Sequence, residues 1–272
     1  MASKTLVVNP NASRVTEERI VKAELRLQPV ETLRTEHRGH AIELAKGATG
    51  DEVWVLGGDG LVNEVLNGLR PGAMLGIVPA GGSNVVARSL GARERRISVG
   101  RVNGRRFAFA AGIGVDSDVV RELETKQRYE SGKRASDLTY ARAVAGRLLR
   151  GYEPRLEVVG LGRAAIVLVS NNDVFTYAGP VPLRFAADAR FELGLDVVAP
   201  ERIGARSLAR LVPRLAVGRG LVGARGVLSG HDVDRIEIRC DVPLPLEADG
   251  EDLGDVTEAV FEVERDAVTV LV

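Results

Sequence analysis

The stretch VLGGDGLVNEVLNGL, residues 55–69, constrains the fold of this chain more than any other. An apolar run stops at Gly57-Gly58-Asp59-Gly60, and apolar residues then return at helical spacing as Val62, Val65, Leu66 and Leu69. The same order of apolar run, small or amide turn, and amphipathic helix recurs through the first hundred residues. TLVVNP is a strand ending in a turn, and residues 14–27 have helical spacing. VETLRT reads as a strand, GHAIELAKGA as a short helix, MLGIVPA as a strand and NVVARSLG as a helix with a glycine stop. Strands that alternate with helices predict a parallel sheet with helices on its faces.

After residue 96 the texture changes. Asn103-Gly104 lies between two strand-like runs, a hairpin signal. Further strands are expected at 155–159, 164–170, 190–198, 234–240, 258–264 and 267–272, with helical insertions at 116–126, 135–150 and 201–217. The expected organisation is a doubly wound α/β domain over residues 1–96 and a mostly β domain over 97–272, whose last strands can pack back on the first domain.

Charge and cysteine content remove several classes of function. Lys+Arg and Asp+Glu both number 37, so no global field steers the chain to nucleic acid, and any electrostatic binding must be local. The single cysteine, Cys240, alternates with charged residues in RIEIRC and is expected on the buried face of a strand. One cysteine cannot form an internal disulfide, which fits a reducing cytosol. MASKTLVVNP lacks a leader's apolar stretch, and no window approaches a membrane span. His37 and His40, three apart, lack the partners of a metal site, and His231 stands alone.

The turns carry the chemistry. NPNAS, the Thr35 region, GGDG and PAGGSN each follow a predicted strand, so all four fall at the carboxyl edge of the sheet, where ligands bind. Exposed N–H groups of glycine turns and helix starts hold anions, which points to phosphate. Asp59 is anomalous there, because a carboxylate repels phosphate unless a cation or a hydroxyl intervenes. It serves either as a simple helix cap or, through Mg²⁺ and water, as part of the site. The pattern is neither a Walker A loop nor a dinucleotide fingerprint.

These motifs resemble, in order and over nearly the whole chain, those of the diacylglycerol kinase catalytic-domain superfamily, which includes bacterial lipid kinases and sphingosine kinases. GGDGLVNEVLNGL resembles its glycine-rich motif and LGIVPAGGSNVVARSLG the following Pro-x-Gly-Thr-x-Asn motif. NPNAS resembles its opening Asn-Pro turn, TEHRGHAIELA the threonine-to-helix segment, FAFAAGIGVDSDVV the start of the second domain, and LEADGE its late Asp-Gly-Glu motif. The resemblance implies a two-domain kinase related in plan to NAD kinases, with an active site in the cleft, an ATP-Mg²⁺-binding α/β domain and a β-sandwich that supplies the lipid pocket. Carried over residue by residue, it implies nucleotide or phosphate contacts from Asn9, Thr35, Gly57, Gly58, Asp59, Gly60, Asn63, Glu64, Gly81, Gly82, Ser83 and Asn84. Asp59 would meet ATP-bound Mg²⁺ indirectly. Asp249 would accept the lipid hydroxyl proton, assisted by Glu251. Those residue types suit phosphoryl transfer, which asks for positioning and charge neutralisation.

The chain departs from the family at several points. Gly82 stands where the motif has threonine, with Ser83 next to it, and Val85 replaces the usual aspartate after Asn84. Ser13 stands where glycine is common. Leu193 replaces the aspartate of an Asp-Gly pair that helps hold a structural Mg²⁺, leaving Glu192 or Asp196 to substitute. The expected function is ATP-dependent phosphorylation of a hydroxyl on diacylglycerol or a related lipid. The alternatives are an NAD kinase-like enzyme, disfavoured because Asn63-Glu64 follows the loop directly, and a degenerate non-catalytic lipid-binding regulator.

The expected partners are the lipid and, transiently, an anionic membrane surface; no nucleic acid is expected, and a homodimer is compatible. Residues 201–217 read as a helix in which Arg202, Arg206, Arg210 and Arg214 recur every four residues along one broad face. That face is either solvated or a membrane contact for a cytoplasmic, peripherally associated protein. Tyr140 and Tyr177 are expected to pack in the second domain.

Overall fold

The computed structural model describes residues 2–114, 151–178 and 180–272. The expected helices 116–126 and 135–150, and Tyr140, lie outside the described residues. The chain divides into two compact units, one of residues 1–99, 104–108 and 264–272, the other of residues 100–103 and 109–263. The fold is a mixed α/β unit followed by a mostly β unit, the class read from the sequence.

In the first unit the elements are β1 (Lys4–Val8), α1 (Glu17–Leu27), β2 (Glu31–Arg34), α2 (His40–Gly47), β3 (Glu52–Gly57), α3 (Asp59–Gly68), β4 (Met74–Pro79) and α4 (Val85–Leu90). The strands lie in the order β2-β1-β3-β4, all parallel, with Val7 opposite Leu33 and Val55, and Val55 opposite Ile77. Val270 and Leu271, at the end of the chain's last strand, pair in parallel with Leu75 and Gly76 of β4. β3 is buried along its whole length, as a central parallel strand covered on both faces must be. Trp54 is part of that core, and its indole N–H donates to the Glu52 carboxylate at 2.6 Å.

α1 starts where the Thr16 hydroxyl accepts the Arg19 N–H, and it buries Ile20, Ala23 and Leu27 against Leu6, Val8, Trp54 and Leu56. α3 is buried over most of its length and packs against α2. The contact is close at Gly68, where a Cβ would stand 2.2 Å from the Ile42 carbonyl oxygen. Gly68→Ala is therefore expected to cost about 1–3 kcal/mol by forcing the helices apart. A chemical denaturation midpoint equal to that of the parent would show that they can separate freely.

After α4 the chain forms β5 (Glu94–Val102) and β6 (Arg105–Phe107), joined by the expected turn. Asn103 and Gly104 both take positive φ, 47° and 87°, as a two-residue hairpin turn requires.

The second unit contains β7 (Ala110–Ile113), β8 (Leu156–Val158), β9 (Gly162–Ala164), β10 (Val167–Ser170), β11 (Thr176–Ala178), β12 (Val181–Leu183), β13 (Leu195–Pro200), α5 (Ala205–Ala216), β14 (Val227–Val233), β15 (Arg235–Ala248) and most of β16 (Glu251–Leu271). An antiparallel sheet runs β14-β13-β10-β7-β15-β16, β8 and β9 form a hairpin on β15, and β11 and β12 form a separate one. α5 plants Leu211 among Val198, Leu221 and Ala224.

Several expected elements have other bounds: the strand expected at 164–170 is divided between β9 and β10, β13 starts at Leu195, and α5 starts at Ala205. The strand expected at 234–240 continues to Ala248, with its register shifting between Arg239 and Leu244, next to Pro243 and Pro245. Prolines remove ladder donors and break the sequence signal without ending the strand. The separate strands expected at 258–264 and 267–272 are one, interrupted only in its pattern by Asp266 at φ 48°. Cys240 is half-buried rather than wholly inside, and burial followed by the Asp241 charge pushes its thiol up to about 11. Such a thiol is an unreactive filler.

Candidate active site

The carboxyl ends of β1, β2, β3 and β4 bring the four expected turns to one edge of the first unit's sheet. Asn9 donates its N–H to the Leu56 carbonyl and turns its side chain onto the Asn11 N–H at 3.0 Å. The Thr35 N–H donates to Val8, and Thr35 itself is buried. The Ala80 N–H donates to Gly57 at 2.7 Å, which ties the β3 and β4 turns together. Those turns touch backbone to backbone: a Cβ on Gly81 would lie 2.5 Å from the Gly58 Cα. No side chain fits between them, so the edge presents bare peptide groups of the kind that hold phosphate. Asn84 closes the β4 turn, accepting the Gly81 N–H at 2.8 Å and donating to the Gly81 carbonyl at 2.9 Å. Gly60, Gly82 and Ser83 are exposed at this edge.

Asp59 is not the cap of its own helix. It is the first residue of α3, whose N-cap is Gly58, and its Oδ1 accepts the Val86 N–H at 3.2 Å. It thereby caps α4, whose N-cap Asn84 makes no side-chain cap bond. Desolvation pushes the Asp59 carboxyl above its usual range, against the opposing pull of the Val85 and Val86 N–H groups. A carboxylate short of water gains from a nearby cation, so the site suits the indirect Mg²⁺ partner implied for Asp59.

Asn63 and Glu64 are engaged inside the unit. Glu64 is buried and accepts the Gly39 N–H at 3.0 Å and the Ala41 N–H at 3.1 Å, one on each carboxylate oxygen. It supplies from α3 the cap that Gly39, lacking a side chain, cannot give α2. Asn63 is fully buried, donates to the Arg106 carbonyl, and accepts from Arg105 and Asn67. The two side chains brace α3 against α2 and β6. Arg19, which carried no motif signal, reaches the turn edge instead and donates to the Pro79 carbonyl at 3.0 Å.

In the second unit Asp249 sits in the tight turn between β15 and β16, at φ 50°, followed by Gly250 at 81°. It is buried. Its N–H donates to the Ala110 carbonyl at 2.8 Å, while its Oδ1 accepts the N–H groups of Phe109 at 3.0 Å and Ala110 at 3.2 Å. Glu247, buried two residues earlier, accepts the Gly250 N–H at 3.2 Å and braces the same turn. Glu251 opens β16 opposite Ala248. The buried Ser170 lies opposite Ala110 on the other side of β7. Neither was singled out in the sequence: Glu247 lies within LEADGE itself, whereas Ser170 is brought opposite Ala110 only by the strand register.

Among the described residues no three His, Cys, Asp or Glu side chains converge to hold a metal. His37 and His40 stack at 4.8 Å. Asp196 is fully buried and accepts from His231 Nδ1 at 2.9 Å and the Asp232 N–H at 3.1 Å. That hydrogen bond raises the His231 pKa above its usual value, with desolvation opposing. The stabilisation is thus present below pH ~6.5 and lost as pH rises through the higher folded value. His231→Gln is expected to lower the melting temperature more at pH 6 than at pH 9; equal losses at both would discount the charge.

The four arginines of the expected basic stripe are separated. Arg202 precedes α5 and pairs with Glu153 at 3.6 Å. Arg214 turns back to donate to the carbonyls of Gly220 and Val222. Arg206 and Arg210 are exposed on α5. No helix among the described residues is long and apolar enough to cross a membrane.

Residues 3–104 match the diacylglycerol kinase catalytic domain. The chain thus carries a diacylglycerol kinase catalytic domain over those residues. A Bacillus subtilis protein named diacylglycerol kinase is 34% identical over 114 residues, covering 35% of this chain and 38% of that protein. A Streptococcus pneumoniae protein assigned to the lipid kinases is 29% identical over 140 residues, covering 44% of this chain and 46% of that protein. The matched stretch thus spans less than half the length of these two relatives. Among solved structures, a diacylglycerol kinase from Bacillus anthracis superposes over 99% of this chain and 96% of its own, with a TM-score of 0.72 at 19% identity. A second structure from that organism gives a TM-score of 0.75 over 99% of this chain and 94% of its own, also at 19% identity. The two-part fold of these structures is therefore present along the whole chain.

Proposed function

We propose that this protein is an ATP-dependent lipid kinase that transfers the γ-phosphoryl group to a hydroxyl of diacylglycerol or a related lipid. The observation that carries the proposal is the edge of bare backbone in the first unit, where Gly58 and Gly81 meet with Asp59 beside them. Peptide N–H groups of the GGDG and AGGSN turns would hold the phosphates, with Asn9, Thr35, Ser83 and Asn84 around the nucleotide. Mg²⁺ arriving with ATP would neutralise phosphate charge, and Asp59 would face it through water. Asn63 and Glu64 would act as positioning residues, since their side chains hold α2, α3 and β6 in place.

Asp249 would orient the acceptor hydroxyl and take its proton, and Glu251 would assist. In support, both backbone donors to Asp249 converge on one oxygen, Oδ1, which fixes the carboxylate's orientation. A general base works by such fixed placement. The protein would meet its lipid at a membrane surface from the cytoplasmic side.

The test is incubation with γ-labelled ATP and Mg²⁺ in the presence of a lipid panel containing diacylglycerol, with NAD in a parallel reaction. Label in a phospholipid product supports the proposal. Label in NADP favours the NAD kinase-like alternative. Label in neither sinks the catalytic reading and leaves a non-catalytic lipid-binding regulator.

A further inference from the structure

Residues 202–230 contain six arginines, at 202, 206, 210, 214, 219 and 225, and no lysine, aspartate or glutamate. This segregation occurs in a chain whose basic and acidic residues balance at 37 each. Two of the six are used internally, Arg202 on Glu153 and Arg214 on the Gly220 and Val222 carbonyls. The other four, Arg206, Arg210, Arg219 and Arg225, are exposed and form no ion pair among the described residues.

Arg210 and the turn that carries Arg225 are also neighbours in space. A Cβ on Gly226 would lie 3.9 Å from Arg210 Nη2, so the Arg210 guanidinium reaches over the turn that carries Arg225. The outer face of α5 adds apolar surface rather than acids. Val212 is 53% and Val217 68% exposed, and Ala205, Ala209, Pro213 and Ala216 are exposed with them. The helix is held from beneath by Leu211 alone among its fully buried residues.

Unpaired like charges repel one another, and a helix facing only water ordinarily intersperses acids among its bases. Exposed valines gain nothing from water or from a simple polyanion. One environment satisfies both halves of this face: phosphodiester headgroups for the guanidiniums and the acyl boundary for the valines. We propose that the outer face of α5, with the 217–226 turn, docks reversibly on an anionic phospholipid bilayer. The proposal goes beyond the lipid-kinase reading and does not depend on it.

The test uses the full chain without ATP, sedimented with vesicles of phosphatidylglycerol and phosphatidylcholine or of phosphatidylcholine alone, at low and high salt. Binding is expected only to the anionic vesicles and is expected to weaken with salt. Combining Arg206→Gln, Arg210→Gln, Arg219→Gln and Arg225→Gln should weaken it on the order of a hundredfold. Val212→Ser with Val217→Ser should weaken it by a smaller factor. Thermal melts establish that the variants are folded, and an Arg219→Gln, Arg225→Gln pair confined to the turn serves if the quadruple variant is not. The proposal is overturned if the parent ignores anionic vesicles, or if the folded arginine variant binds as the parent does. It is also overturned if duplex DNA or another soluble polyanion binds as well as the vesicles and the valine variant changes nothing. Activity on detergent-dispersed diacylglycerol, measured separately, should survive in the arginine variant. A chain that binds vesicles but transfers no phosphate would end the kinase reading and leave this one standing.

Discussion

Asp249→Asn is expected to lower phosphoryl transfer on the order of a hundredfold or more, while the protein folds and binds nucleotide like the parent. The expectation rests on the bonds made at Oδ1. The Phe109 and Ala110 N–H groups both donate to Oδ1, and an amide oxygen there can accept both. Asparagine also tolerates the positive φ of 50° that Asp249 adopts. The substitution therefore removes the charge and the proton acceptor and leaves the turn. Asp249→Ala would instead strand two buried donors, at about 1–3 kcal/mol each, and would confuse folding with chemistry. The measurement is turnover and KM for ATP beside a thermal melt. A folded variant with near-parental turnover removes Asp249 from the mechanism.

For Asp59 the informative substitution is also to asparagine. Asp59→Asn keeps an oxygen for the Val86 N–H, so α4 keeps its cap, while the charge that would face ATP-bound Mg²⁺ is lost. Activity is expected to fall on the order of tenfold to a hundredfold, with weaker Mg-ATP binding. Stability should go the other way. Because burial raises the folded-state pKa of Asp59, the folded protein pays for the ionised form at neutral pH. The asparagine variant should melt at the parental temperature or above it at pH 7–8. That difference should shrink as pH falls through the ordinary carboxylate range near ~4, where the acid is protonated in folded and unfolded chains alike. If activity instead falls only in step with folded protein, Asp59 is a cap for α4 and nothing more.

The two carboxylates differ in how legible they were. Asp249-Gly250 reads in isolation as an ordinary turn, and only its place in an ordered series of motifs marked it out. Glu247 stands two residues before it in the same motif. Ser170 reaches the other side of β7 only because β15 and β10 both pair with that strand, and the register of an antiparallel sheet is not written in any one strand. Asp59 is anomalous among its three glycine neighbours, and the sequence alone leaves cap and site as alternatives. It caps a helix, but one that starts 26 residues later in the chain.

What the sequence by itself determined is the local grammar. Apolar runs, glycine and amide turns and helical spacing sufficed for the parallel α/β unit, for its turns at one edge and for the Asn103-Gly104 hairpin. These are properties of short windows, where period and turn chemistry act directly on the backbone. The tertiary structure decided which polar side chains remain available. Glu64 and Asn63 stand in the motif as candidate ligands, yet Glu64 closes on N–H groups 23 and 25 residues away and Asn63 on a carbonyl 43 residues away. Arg202 and Arg214 looked like half of a basic stripe until an ion pair and two carbonyls claimed them. A buried polar group must find a partner wherever the packing brings one, and that packing is set by the whole chain rather than by the residue's neighbours in sequence.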